Sequence, residues 1–187
     1  MNAASLRSTL TRGLVAVALA GPTLLLVSGP ASASTDDIVN IANANMSNHA
    51  CDTNSTGGQG YNSSCTGDGG SPENWCADFA AWVWQQAGYN VDGLTPAAGS
   101  FDQYGAGVHS DPQVGDAILF DDNGSGYADH VAIVTAVNPD GTIQSIGGNE
   151  GTNDPSTSYV NSDSYEGTVG YSSYWGMTIS GYVSPTN

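Results

Sequence analysis

The chain has 187 residues and a mass of 19.0 kDa, the size of one domain. Its only basic residues, Arg7 and Arg12, precede residue 13, and all 18 Asp and Glu residues lie beyond residue 33. This distribution excludes nucleic-acid binding, which needs Lys or Arg against phosphate, and it serves an anionic membrane surface equally badly.

Residues 1–33 have the form of a secretory signal peptide. Arg7 and Arg12 make the charged region, residues 14–27 are apolar apart from Gly21-Pro22-Thr23, and Ala31-Ser32-Ala33 gives the cleavage site. The run is too short and too broken to anchor the chain across a bilayer. The expectation is a secreted, extracellular monomer with one domain over residues 34–187.

A first helix is expected with Thr35 as its cap, Asp36 and Asp37 at the positive end of its dipole and Ile38, Ile41, Ala42 and Met46 on one face. Residues 47–70 are rich in Gly, Ser, Thr and Asn and read as loop. In an exported protein disulfides persist, and three cysteines leave one thiol over. Cys51 and Cys65 bound a 14-residue loop in this polar stretch. They are expected to form a bridge, worth about 3 kcal/mol in chain entropy; the two other pairings stay open.

Ser71-Pro72-Glu73 announces a second helix, with Ser as cap and Pro in the first turn. Cys76, Phe79, Ala80, Val83, Trp84 and Ala87 follow at helical spacing, and Gly88 ends the run. Beyond residue 90 the pattern is of strands, at 117–120, 130–137, 142–146 and 178–183. Asn138-Pro139-Asp140-Gly141 is a hairpin turn between the second and third. Helices first and a mainly antiparallel sheet afterwards make an α+β domain.

A thiol becomes nucleophilic when ionised, which a helix N-terminus and a nearby imidazole both favour. Cys76 lies near the start of its helix. Of the three histidines, His49 and His109 sit in polar, loop-like sequence. His130 opens a buried-looking strand, where an imidazole is costly without a partner, and is the natural base. A base needs an orienting group, and the hairpin returns residues 146–150 beside His130, within reach of Asn149 or Glu150.

Three ordered segments now stand out: Glu73-Asn74-Trp75-Cys76-Ala77-Asp78-Phe79-Ala80-Ala81-Trp82-Val83-Trp84, Val114-Gly115-Asp116-Ala117-Ile118-Leu119-Phe120 and Asp129-His130-Val131-Ala132-Ile133-Val134. Together they resemble the CHAP domain, the cysteine, histidine-dependent amidohydrolases/peptidases related to NlpC/P60 proteins, in secreted actinobacterial form. The resemblance implies a papain-like fold with N-terminal helices on the sheet, and cleavage of amide bonds in peptidoglycan. It makes Cys76 the nucleophile and His130 the base. Members of the family often carry Glu, Asp or Asn shortly after the hairpin, sometimes as Glu-x-Asn; here Gly147 stands at the Glu position and Asn149 at the Asn position, so Asn149 is carried over as the third member. Trp75 and Tyr127 are expected to line the substrate cleft.

No cofactor and no metal is expected. Asp121-x-Asn123-x-Ser125-Gly126-Tyr127-x-Asp129 follows a calcium-loop spacing, but its twelfth position is Ala132 where a bidentate Glu belongs. Two alternatives remain: a catalytically silent secreted binding module, and a hydrolase of non-wall amides.

Overall fold

The computed structural model describes residues 33–66, 71–121, 123–173 and 175–187. Residues 1–32, nearly all of the expected signal peptide, lie outside them. Ser34, one residue before the expected cap, accepts the Asp37 amide at 3.2 Å and opens helix α1 (Thr35–Ala44), which buries Ile38 and Ala42. Helix α2 (Cys76–Gln86) starts later than the Ser-Pro signal predicts. Trp75 takes the N-cap position because its ring is drawn into the core. The ring stacks on Tyr61 at 5.4 Å, and its Nε1 donates to Ser158 Oγ at 2.8 Å. Tertiary burial thus overrides the local cap, and Cys76 becomes the first helical residue.

Five strands, β1 (Ala117–Asp121), β2 (His130–Val137), β3 (Thr142–Glu150), β4 (Tyr159–Glu166) and β5 (Thr178–Val183), form one antiparallel sheet in the order β4-β3-β2-β1-β5. The α+β architecture is as expected. Alternation along the strands separates two apolar faces. Leu119, Val131, Ile133 and Ile146 pack with α1 and α2, while Phe120, Ala132, Val134 and Ile143 form a second cluster on the other side. The Pro-Asp-Gly turn joins β2 to β3, with the Asn138 amide bonded to the Thr142 carbonyl at 2.8 Å. Strand β4 carries no sequence signal: along Tyr159–Glu166 only Val160 and Tyr165 are buried, as suits a polar edge strand. Gly148 allows β3 to approach α2, since a Cβ there would fall 2.6 Å from the Trp75 ring and 2.7 Å from Phe79 Cβ.

The polar loop after α1 corrects one expectation. Cys51, Cys65 and Cys76 are all free thiols, with no Cys51–Cys65 bridge. The loop is ordered instead by hydrogen bonds and one aromatic anchor. Asn54 Oδ1 accepts the amides of Thr56 and Gly58 at 3.0 and 3.1 Å, Ser64 Oγ donates to the Ala50 carbonyl at 2.9 Å, and Tyr61 is fully buried against Trp75, Phe79 and Trp82. The Tyr in an otherwise polar stretch was the available signal.

Asp78, in the first turn of α2, is 3 % exposed and accepts from Ser63 Oγ at 3.2 Å. Burial outweighs this bond and pushes its carboxyl up to about 6. A raised carboxyl pKa favours the fold below the ordinary value and loses that contribution as pH rises through 6. Asp78→Asn is therefore expected to stabilise the protein at pH 7–8 by on the order of 1–3 kcal/mol, with little effect near pH 4. Thermal unfolding across that range checks it.

Candidate active site

Cys76 is held where α2 begins, against the start of β2, and is 4 % exposed. Burial opposes ionisation of its thiol. Against that act the charge of His130, a hydrogen bond to the His130 side chain, and bonds to the backbone of Val131 and Ala77. The balance holds the thiol below its usual value. Cys76 and His130 are thus brought together as the sequence predicted.

The third member differs. His130 Nε2 lies 3.2 Å from Glu150 Oε1, in a pair whose side chains are 7 % and 1 % exposed. Asn149 does not meet the imidazole; its Oδ1 accepts from Ser158 Oγ at 2.9 Å and its Nδ2 donates to Asn74 Oδ1 at 3.2 Å. The cause is a β-bulge. Gly147 pairs with Asn161 and Glu150 with Tyr159, so β3 spends one more residue than β4 over this interval. Asn149 absorbs the extra residue at φ +59°. Glu150 thereby takes the face that regular alternation would give residue 149. Its carboxylate fills the space beside Gly147, where a Cβ would collide with Glu150 Oε1.

Burial raises the Glu150 carboxyl well above the ordinary range, and the neighbouring Asp163 carboxyl adds to this. Trp175, which sequence patterning did not single out, packs edge-on to the imidazole at 5.0 Å between ring centres. It lines the cavity on the imidazole side; in a Gly-rich tail without periodicity nothing marked it.

Two cavities flank the pair. The one on the imidazole side, of about 460 Å³, is lined by His130, Asn149, Glu150, Trp175 and Met177. The other, of about 490 Å³, is lined by Cys76, Pro96, Gly99, Tyr127 and Ala128. Asn74 and Asp129 line both and so mark where the arms meet. Tyr127, 63 % exposed, rims the cleft as expected, whereas Trp75 is fully buried and lines neither arm. Its indole is needed in the core, next to Tyr61. In the 121–129 loop the Asp121 carboxylate is turned to the loop's own amides, accepting from Asn123, Gly124 and Gly126 at 2.9, 2.7 and 2.8 Å. These bonds, that of Asn123 foremost, hold its carboxyl below the ordinary range, and Asp121 organises the rim beside His130.

Residues 66–149 match the sequence profile of the CHAP domain, from ahead of Cys76 through His130 to Asn149. The matched segment is less than half of the chain and ends one residue before Glu150, so the carboxylate on His130 lies just beyond the CHAP match. No curated protein matches the chain. Among solved structures, an NlpC/P60 family protein from Bacillus cereus is similar at 20 % identity and a TM-score of 0.46, over 82 % of this chain and 40 % of that one. An N-acetylmuramoyl-L-alanine amidase from Staphylococcus aureus is similar at 17 % identity and 0.40, over 62 % of this chain and 31 % of that one. Ly7917 is similar at 15 % identity and 0.45, over 82 % of this chain and 62 % of that one. This chain therefore spans less than two thirds of each of these proteins.

Proposed function

We propose that the protein is a secreted cysteine amidase or endopeptidase that cleaves amide bonds of peptidoglycan peptides, with Cys76 as nucleophile, His130 as base and Glu150 as the group orienting His130. The observation that carries this reading is the lowered Cys76 thiol hydrogen-bonded to an imidazole whose Nε2 is engaged by Glu150, at the junction of two open cavities. Nε2 faces Glu150, which leaves Nδ1 to take the thiol proton. The Cys76 sulfur then bonds to the substrate carbonyl carbon, and the imidazolium returns its proton to the leaving amine nitrogen as the C–N bond breaks. Water, deprotonated by His130, releases the acid from the thioester and restores the thiol. The CHAP match over residues 66–149 supports the substrate class.

Digestion of purified peptidoglycan, followed by mass analysis of the released fragments, tests this. New amine and carboxyl termini at one kind of amide bond are expected. Binding without any released fragment, with Cys76 reduced, would overturn it in favour of a silent binding module.

Charge makes a second expectation. Beyond residue 33 every side chain charged at neutral pH is acidic apart from any protonated histidine, so anionic wall polymers repel the protein across a Debye length of about 8 Å at physiological salt. Raising monovalent salt is expected to strengthen its sedimentation with insoluble wall or leave it unchanged. A steep loss with salt would require a basic contact surface.

A further inference from the structure

Beside the arm of the cleft that holds Cys76 lies a further cavity, of about 270 Å³. Thr95 and Pro96 line both, so a chain bound in that arm can continue past them into the second space. Asp78, Ala81 and Gln85 form its floor along α2, at the i, i+3 and i+7 positions that share one side of a helix. Val91 and Leu94 add apolar wall. Two helical positions turn side chains to opposite sides of the axis. The Cys76 thiol therefore serves the cleft and the Asp78 carboxyl serves the cavity next to it.

Asp78 is the one charged group lining this cavity among the described residues. It is buried, and both of its oxygens accept from the neutral Ser63 hydroxyl, at 3.2 and 3.4 Å. The Asn62 side chain lines the same space, but its Nδ2 donates to the Asp78 backbone carbonyl at 3.2 Å. Glu73, which also acts on the carboxyl, has the same sign. The chain has no Lys or Arg beyond residue 12. Its histidines are engaged elsewhere, His49 with Ser158, His109 with Ser184 and Asp116, and His130 with Glu150. A buried carboxylate without a counter-charge costs stability. Here the missing counter-charge can arrive with a ligand.

The cavity selects the kind of cation. Calcium takes six to eight oxygens, and one carboxylate with one hydroxyl falls well short of that. A primary ammonium brings three donors on a narrow methylene stem. The stem suits Ala81, Val91 and Leu94, and the ammonium suits the Asp78 oxygens and the Ser63 hydroxyl. We propose that this cavity is a subsite for the side-chain ammonium of a lysine or related diamino acid in the bound peptide, with Asp78 as the specificity-determining residue. The peptide context rests on the hydrolase reading above.

The test separates recognition from cleavage. Calorimetric titration of the Cys76→Ala protein uses a wall stem peptide containing lysine, and the same peptide with norleucine or Nε-acetyl-lysine in its place. At pH 8 the lysine peptide is expected to bind on the order of 10–100-fold more tightly than either analogue. At pH 5, below the value of about 6 at which the Asp78 carboxyl takes up its proton, that advantage shrinks by about tenfold. Adding Asp78→Asn removes the advantage at both pH values and leaves the norleucine peptide unaffected. The stability gain expected of Asp78→Asn at pH 8 shows that this variant is folded. A lysine preference that survives Asp78→Asn overturns the proposal, since the attraction then comes from the acidic chain as a whole. Equal binding of the three peptides overturns it too. Release of wall fragments by the unsubstituted protein without any lysine preference overturns the subsite and keeps the hydrolase reading. An Asp78-dependent preference with no fragment released overturns the hydrolase reading and keeps the subsite. Binding of none of the peptides overturns the subsite.

Discussion

Replacing Cys76 with alanine is expected to abolish amide hydrolysis, and replacing His130 with alanine to lower turnover by a factor on the order of 10⁴ or more, because the two act as one unit. The same pair has a signature independent of turnover. In the intact protein burial disfavours the thiolate, and the His130 charge and hydrogen bond overcome it. Cys76 is therefore expected to alkylate with iodoacetamide at pH values below the ordinary thiol range. In His130→Ala the burial remains and its counterweight is gone, so the alkylation midpoint rises above that range. An unmoved midpoint in His130→Ala would show that the imidazole does not activate the sulfur, and the proposed mechanism would fall.

The second large effect is expected at Glu150, not at its neighbour. Glu150→Ala leaves His130 Nε2 buried without its partner, a loss of about 1–3 kcal/mol, which corresponds to a fall in turnover on the order of 10–100-fold. Burial and the Asp163 carboxyl both raise the Glu150 pKa, so its neutral form is favoured more than in an ordinary carboxyl group. Glu150→Gln offers a neutral acceptor of the same shape and is expected to keep turnover within about 10-fold. Asn149→Ala lowers turnover without moving the pH–rate profile, because it does not touch the imidazole, whereas Glu150→Ala shifts that profile. If Glu150→Gln proves as damaging as Glu150→Ala, the carboxylate is charged in the working site. If Glu150→Ala is silent, His130 is oriented by something else.

Much of the site was legible in residue order. The spacing from Cys76 through Val83 and Trp84 specifies a helix whose first turn carries the thiol, because apolar residues at i, i+3, i+4, i+7 and i+8 can share a buried side only in that geometry. His130 at the head of a β-branched run, with Pro139-Asp140-Gly141 after it, is enough to return residues 146–150 beside the imidazole. Local sequence determines these features because helix periodicity and turn chemistry act over a few residues.

Which member of the returning strand touches the imidazole is a different kind of fact. Strand alternation assigns it by parity, and one bulged residue reverses that parity. The bulge appears only when β3 pairs with β4, a polar edge strand that no hydrophobic pattern announces. The start of α2 was likewise settled by contacts distant in sequence, since Trp75 packs on Tyr61 and bonds to Ser158. Trp175 reaches His130 from the far end of the chain. Residue types and local spacing thus determined the α+β class and the meeting of Cys76 with His130. Long-range strand pairing and aromatic burial decided which carboxyl meets His130, the placement of Asn149 and the first residue of α2, because only the folded chain brings those groups within a hydrogen bond of one another.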